Sequence, residues 1–137
     1  MPRILIVDDD KAVRTAIQVL LEHEGFEVVV VENGRSAIEA ATKASIDAAI
    51  VDIVMPGMDG LETIKAFDRS APGVPVVAIS GFMFRDSSSP LPDFLGAAKT
   101  LGAACGLQKP FRPVALLKAL ESCLSAARGR LEAAAAA

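Results

Sequence analysis

The feature that most constrains the fold is a regular alternation of short apolar runs with longer segments of helical periodicity. Five apolar runs are predicted as strands: Ile4–Val7, Phe26–Val31, Ala48–Ile53, Val74–Ile79 and Ala104–Gln108. The fifth run is the weakest, and it is predicted mainly because the alternation requires it. Strands that alternate with helices form a parallel sheet covered on both faces, so we expect a doubly wound α/β domain.

The helical segments are recognised by apolar residues that recur every three or four positions. The predicted buried faces are Val13, Ala16, Ile17, Leu20 and Leu21 in the first helix; Ala37, Ile38, Ala41 and Ala44 in the second; Leu61, Ile64 and Phe67 in the third; and Val114, Leu117, Leu120 and Leu124 in the last. A further helix is predicted over Phe94–Leu101, after a polar loop. Gly25 is expected to end the first helix, and Asn33-Gly34 to form a turn.

The composition is typical of a globular chain. Of 137 residues, 52% are hydrophobic and 23% are charged, and no apolar run approaches the roughly 20 residues of a membrane span. The N-terminus lacks the pattern of a signal peptide. A net charge of −3 argues against direct nucleic-acid binding. Cys105 and Cys123 show no metal or disulfide spacing, which favours a reducing, cytoplasmic location.

The length favours a single domain, which we expect over residues 1–130. Residues 131–137 are a Leu-Glu pair followed by five alanines. They are predicted to be a vector-derived or disordered tail without a functional role.

Acidic and other polar side chains occur where the predicted strands end. Asp8 and Asp9 follow the first strand, Asp52 lies near the end of the third, Ser80 follows the fourth, and Lys109 follows the fifth. Right-handed crossovers bring all these ends to one edge of a parallel sheet, where ligands bind. Two carboxylates about 4 Å apart repel by about 4 kcal/mol at an effective dielectric of 20. One lysine cannot neutralise three carboxylates, so the pattern predicts a hard divalent cation such as Mg²⁺.

With its charge neutralised by a cation, a carboxylate can attack phosphorus and form an aspartyl phosphate. Lys109 is predicted to bind one phosphate oxygen as a point charge. Ser80 is predicted to donate a hydrogen bond to another. The carboxylate nucleophile, the lysine and the serine together predict phosphoryl transfer at this edge of the sheet.

Four motifs in the same order resemble the response-regulator receiver family. They are Asp8-Asp9, the segment Asp52-Ile53-Val54-Met55-Pro56-Gly57-Met58-Asp59-Gly60, the step Ser80-Gly81, and Lys109-Pro110-Phe111. The resemblance covers residues 3–127. It implies the flavodoxin-like receiver fold, with five parallel strands in the order 2-1-3-4-5.

The resemblance also implies roles for individual residues. Asp52 would be the phosphoacceptor, with Ser80 and Lys109 as its catalytic partners. Mg²⁺ would be bound by Asp9, Asp52 and the backbone carbonyl of Val54, and Asp8 would act largely through water. The chain would catalyse only its own phosphorylation and dephosphorylation, so it would not be an enzyme in the usual sense.

Partners follow from the same resemblance. The phosphoryl donor would be a phosphohistidine on a sensor histidine kinase or a histidine phosphotransfer protein. Output would come from contact with a downstream protein or from phosphate relay, in the cytoplasm, without nucleic acid or membrane. A homodimer is compatible with this interpretation.

Two departures from the family pattern concern the switch. Gly106 stands where the family usually has an aromatic residue, three positions before Lys109, and the chain contains no Tyr. The coupling of hydroxyl and aromatic motions therefore cannot be transferred. The segment between Ser80 and Lys109 is also longer than usual, with the extra length in the Phe82–Pro92 loop.

Two other functions fit parts of the pattern. A haloacid-dehalogenase-like phosphatase would use Asp8 as nucleophile and Asp10 as acid and base, but this leaves Asp52 unexplained and lacks an acidic pair after Lys109. A receiver-like scaffold that binds partners without phosphorylation keeps the fold and drops the chemistry. The intact acidic, hydroxyl and lysine set argues against a scaffold, whereas Gly106 leaves it open.

Overall fold

A computed structural model describes residues 2–53, 60–80, 101–108 and 111–136. Its strands are β1 (Arg3–Val7), β2 (Glu27–Val31), β3 (Ala48–Asp52), β4 (Val76–Ser80) and β5 (Cys105–Gln108). Its helices are α1 (Lys11–His23), α2 (Gly34–Lys43), α3 (Gly60–Ser70) and α4 (Pro113–Ala136). The strands form one parallel sheet in the order β2-β1-β3-β4-β5, which confirms the predicted fold class.

Apolar side chains cover both faces of the sheet because neighbouring residues of a strand point in opposite directions. On one face, Leu5 and Val7 of β1 pack in a cluster with Ile64 and Phe67 of α3. The opposite cluster contains Ile4 and Ile6 of β1, together with side chains from α1 and α4. The central strands are therefore apolar throughout, as a sheet with helices on both faces requires.

Polar side chains fix where two helices begin. The carboxylate of Asp10 caps α1 by accepting hydrogen bonds from the backbone N–H groups of Ala12, at 2.9 Å, and Val13, at 3.4 Å. Asn33 was expected in a turn, but its side chain caps α2 by accepting from the N–H of Ser36 at 2.8 Å. The chain leaves α1 through Gly25, whose φ of 92° lies in the region that favours glycine.

The predicted face of the last helix is wrong in part. Among the residues of α4 whose burial is described, Leu116, Leu120 and Cys123 are buried, and the predicted Leu117 and Leu124 pack half-buried against the same cluster. Val114, in contrast, is 58% exposed. The packing of α4 against β3, β4 and β5 thus includes Leu116 and Cys123, which the periodicity did not select. Ala16 of α1, predicted as buried, is likewise exposed.

Some predicted elements lie outside the residues that the structure describes or at the C-terminal end of the chain. The Gly81–Pro92 loop and most of the predicted helix Phe94–Leu101 lie outside the described residues. The backbone of α4 stays helical to Ala136, so residues 131–136 continue that helix. Their origin as a tail stays a prediction. Among the described helices, none combines the length and apolar character that crossing a membrane would need.

Because the strands are buried on both faces, replacing valine by alanine should cost more stability in the sheet than on the exposed side of a helix. Val77→Ala removes methyl groups from a fully buried side chain, so it should lower the free energy of unfolding by about 2 to 3 kcal/mol. The matched control Val19→Ala lies on α1, where the side chain is 63% exposed, and should change stability by less than about 0.5 kcal/mol. Urea unfolding of both variants measures this difference. Equal costs would contradict the described packing.

Candidate functional site

Three carboxylates meet at the carboxyl ends of β1 and β3. Asp8 and Asp9 directly follow β1, and Asp52 is the last residue of β3. One oxygen from each of these three side chains lies within 4.8 Å of the others. We call Asp8, Asp9 and Asp52 the acidic cluster. The predicted convergence of the three acids is therefore present in the structure.

The parallel pairing of β1 with β3 produces this convergence. Val7 is the register partner of Val51, so the residues that follow them, Asp8 and Asp52, emerge side by side. Asp8 is fully buried and Asp52 is 4% exposed, whereas Asp9 is exposed. Two carboxylates of the cluster are therefore buried, and the third is open to solvent.

Backbone and side-chain donors hold Asp8 in place. The N–H of Asp10 donates to Oδ1 of Asp8 at 2.9 Å, which fixes the orientation of that carboxylate. Arg14, one turn into α1, donates from Nη1 to the backbone carbonyl of Asp8 at 2.9 Å. Asp10 itself caps α1, as described above. The loop between β1 and α1 is therefore tied to both elements.

Arg14 was missed by the sequence reasoning. Its signal was present in the pattern, because a long side chain on the first turn of a helix points back toward the helix N-terminus. The Asp10 cap places that N-terminus beside the acids. The arginine acts on the backbone that positions Asp8, and its positive charge lies near the acidic cluster.

Ser80 ends the strand next to β3. Asp52 is the register partner of Ile79, so Ser80 lies one residue further along β4 than the level of Asp52. The Ile53 N–H donates to the Ile79 carbonyl at 2.9 Å and continues this pairing past Asp52. Ser80 is 9% exposed. The predicted hydroxyl therefore lies at the same edge of the sheet as the acidic cluster.

Two predicted site residues lie outside the described residues. They are Val54, whose backbone carbonyl is the predicted third cation ligand, and Lys109. The strand before Lys109 is described, and its last residue, Gln108, is the register partner of Ser80. Gly106, which stands at the family's usual aromatic position, lies within β5 and pairs with Ala78.

Gly60 packs directly against the strand that ends in Asp52. A Cβ atom at Gly60 would overlap the backbone carbonyl oxygen of Asp52 and the Cα of Ile53, and would lie 2.7 Å from the carbonyl carbon of Asp52. Gly60 is the last residue of the Asp52–Gly60 motif, and α3 begins there. Only glycine lets the start of α3 approach the end of β3 this closely.

The donor set of the acidic cluster fits a hard divalent cation. Two unit charges 4.8 Å apart repel by about 3.5 kcal/mol at an effective dielectric of about 20, and the cluster contains three such pairs. Carboxylate oxygens are preferred ligands of Mg²⁺, which usually retains several waters. The exposed Asp9 leaves an open side for them. The acidic group could therefore hold a metal ion.

A parallel five-stranded sheet with an acidic cluster and a serine at the carboxyl edge defines the class of phosphoacceptor receiver domains. Residues 4–121 match the sequence profile of the response regulator receiver domain. The chain belongs to the response regulator receiver domain family, whose members are phosphoacceptor switches of two-component signalling.

Individual relatives agree with this assignment. The chain is 34% identical over 122 residues to the response regulator MprA of Mycolicibacterium vanbaalenii, which covers 89% of this chain and 50% of that protein. It is 35% identical over 124 residues to the transcriptional regulatory protein CpxR of Escherichia coli K12, which covers 90% of this chain and 50% of that protein. The chain thus spans about half the length of these regulators.

Solved structures extend the agreement to three dimensions. A CheY-like receiver domain protein from Methanospirillum hungatei superposes with a TM-score of 0.82 at 26% identity, covering 95% of this chain and 98% of that one. The chemotaxis protein CheY4 of Vibrio cholerae gives a TM-score of 0.77 at 32% identity, covering 90% and 99%. Each superposition covers nearly the whole of the solved structure.

The contact between Gly60 and β3 predicts a position-specific cost of adding one methyl group. Gly60→Ala should destabilise the fold by about 1 to 3 kcal/mol, because the new atom overlaps the backbone at Asp52. Gly73→Ala is the matched control, since nothing lies within 4 Å of a Cβ there, and it should stay within about 0.5 kcal/mol of wild type. Urea unfolding gives both values. A neutral Gly60→Ala variant would contradict the close approach of α3 to β3.

Proposed function

We propose that this receiver domain accepts a phosphoryl group on Asp52, assisted by Mg²⁺, and that the phosphorylated state controls its contacts with other proteins. The observation that supports this most is the acidic cluster, in which carboxylates from two strands lie within 4.8 Å at the ligand-binding edge of the sheet. The burial of Asp8 and Asp52 favours a cation that compensates their charge.

Asp52 is the proposed nucleophile of the cluster. Its carboxylate ends β3, and the Gly60 contact and the pairing with β4 hold the backbone on either side of it. Attack by a carboxylate oxygen on phosphorus breaks the bond to the donor and leaves an aspartyl phosphate. Such a transfer depends mainly on positioning and on charge neutralisation, and a rigid strand end supplies the positioning.

The remaining acids are proposed to serve as cation ligands. Asp9 and Asp52 would bind Mg²⁺ directly together with the backbone carbonyl of Val54, and Asp8 would act through water. When bound, Mg²⁺ neutralises charge on the phosphoryl oxygens and on the carboxylates. The Asp10 N–H orients the Asp8 carboxylate, and Arg14 holds the backbone carbonyl of the same residue.

Ser80 and Lys109 are proposed to bind the phosphoryl oxygens. Ser80 ends β4 beside Asp52, and its hydroxyl can donate one hydrogen bond to an anion. Lys109 follows the last residue of β5, so its ammonium would supply a positive charge from the neighbouring strand. A phosphoryl group adds roughly −1.5 to −2 charges, which would draw both donors toward it and reshape the adjoining surface.

Partners and location follow from the family assignment. We propose that a phosphohistidine on a sensor histidine kinase or a histidine phosphotransfer protein is the donor, in the cytoplasm. An alignment of 84 positions, which covers 58% of this chain, is 42% identical to part of the sensor protein GacS of Pseudomonas syringae, which supports a role in phosphorelay. Catalysis would be limited to the domain's own phosphorylation and dephosphorylation, and output would come from protein contact or phosphate relay.

The described geometry disfavours the phosphatase alternative. That mechanism needs Asp10 as acid and base, but Oδ1 of Asp10 accepts hydrogen bonds from the backbone of α1 at 2.9 and 3.4 Å. The carboxylate therefore serves the helix cap rather than facing a substrate. No specific observation favours a scaffold that is never phosphorylated.

Cation binding should depend on Asp9 but not on its neighbour. Asp9→Asn removes one charged ligand from an exposed position, so it should weaken Mg²⁺ binding at least about tenfold, or 1.4 kcal/mol, without loss of stability. Asp10→Asn is the control, because Asn caps a helix about as well as Asp. Isothermal titration with MgCl₂ compares the two variants. Equal affinity in Asp9→Asn and wild type would exclude Asp9 as a ligand.

Phosphorylation should require the carboxylate of Asp52. Incubated with acetyl phosphate and Mg²⁺, the wild-type chain should gain the mass of one phosphoryl group, and Asp52→Asn should gain none. The control Asp47→Asn lies at the opposite edge of the sheet, where the Asp47 side chain accepts from the Arg3 N–H at 2.7 Å, and should label like wild type. Intact-mass spectrometry reads all three. Labelling of Asp52→Asn equal to wild type would refute the assignment.

A further inference from the structure

Two cysteines far apart in sequence meet on the face of the sheet that α4 covers. Cys105 is the first residue of β5, and Cys123 lies on the buried face of α4. Their Sγ atoms are 4.0 Å apart, in a partly buried contact, and both are thiols. Neither residue takes part in the proposed phosphoryl chemistry, so this contact needs its own explanation.

The two sulfur atoms lie in van der Waals contact, so a disulfide between them would need only a short movement. A disulfide holds its sulfurs about 2.05 Å apart, so the two Sγ atoms must approach by about 2 Å. The strand that would have to move is short. β5 has four residues and lies at the edge of the described sheet, where β4 is its neighbour. Rotation about the side-chain bonds and a small shift of an edge strand can supply this approach.

Exposure assigns different roles to the two thiols. Cys105 is half-buried, which leaves it accessible to a small oxidant, whereas Cys123 is only 5% exposed. Thiol–disulfide exchange begins when an accessible thiolate attacks the oxidant and forms a mixed disulfide, and it ends when a second thiolate breaks that mixed disulfide and releases the remaining thiol. In this pair Cys105 is positioned to react first, and Cys123 is positioned to resolve the product.

We propose that Cys105 and Cys123 form a redox modification site, closed by a low-molecular-weight disulfide such as oxidised glutathione. The Cys105 thiolate attacks one sulfur of the oxidant, forming a mixed disulfide and releasing one glutathione thiolate. The Cys123 thiolate then attacks Sγ of Cys105 and releases the second glutathione. The protein loses two protons and two electrons, and the oxidant is reduced to two thiols.

The disulfide would link β5 covalently to α4. It closes a loop between positions separated by 18 residues, and such a constraint reduces the freedom of the unfolded chain. In the described sheet, β5 pairs with β4 on one side. The disulfide would also hold β5 against α4. Oxidation should therefore raise the Tm of the chain by about 5 to 10 °C.

The test uses the wild-type chain in mixtures of oxidised and reduced glutathione. After an acid quench, iodoacetamide labels any remaining thiol, and intact mass reports the products. The expected result is a monomer that has lost two hydrogen atoms, takes up no iodoacetamide and carries no glutathione. Reduction with dithiothreitol should restore both labelling sites and the original Tm.

Two variants separate the proposed roles. In Cys123→Ala the resolving thiol is missing, so Cys105 should retain a stable glutathione adduct. In Cys105→Ser the accessible thiol is missing, so Cys123 should react at least about tenfold more slowly than Cys105 does in Cys123→Ala, because it is 5% exposed.

Several outcomes would overturn the proposal. A wild-type chain that accumulates a glutathione adduct without closing the bridge would mean that Cys123 cannot reach Cys105. A disulfide-linked dimer, or two thiols that remain open to iodoacetamide, would exclude the intramolecular site. Each result is read on the wild-type chain, so it does not depend on how well the variants fold.

Discussion

The parallel pairing of β1 with β3 is the constraint on which the rest of the molecule depends. It sets Val7 opposite Val51, and the next residue after each of these valines is an acid. A shift of one residue in this register would turn every side chain of β1 to the other face of the sheet. Because both faces are buried under helices, such a shift would also misplace the core, so packing and site geometry are specified together.

The acidic cluster has an electrostatic cost that the surrounding structure offsets. Buried carboxylates a few ångströms apart disfavour the folded state unless other groups or a cation compensate them. The apolar strands that end at the site stabilise the fold through burial of their side chains. Ile6 and Ile50, for example, are fully buried in the hydrophobic cluster on one face of the sheet. The scaffold therefore tolerates an unfavourable charge arrangement at its edge, which suits a site that responds to a cation and an anion.

The sequence predicted most of the fold and much of the site, because both follow from patterns with a clear physical period. Alternating strands and helices set the parallel sheet, and the acids at the ends of β1 and β3 then had to converge. The limits of the buried face of α4 were harder to predict, since tertiary packing leaves Val114 exposed and buries Leu116 and Cys123. The pattern indicated the direction of the Arg14 side chain but not its acceptor, which is the backbone carbonyl of Asp8.

The cysteine pair shows a further limit of linear spacing. Cys105 and Cys123 fit no local motif, and their contact arises because α4 folds back across β4 and β5. Their meeting therefore depends on the topology of the sheet and on the register of a helix with more than one apolar side. No rule based on sequence separation alone would have selected them.

The central position of β1 has a consequence for the order in which the molecule can assemble during synthesis. Of the five strands, β1 is synthesised first, and β2, the next strand along the chain, pairs with one side of it. The opposite side can pair only after β3 has been made, so a growing chain exposes one edge of this apolar strand in the meantime. A nascent chain therefore cannot complete the acidic cluster before β3 docks, and the cluster marks the point at which β1 has acquired both of its neighbours.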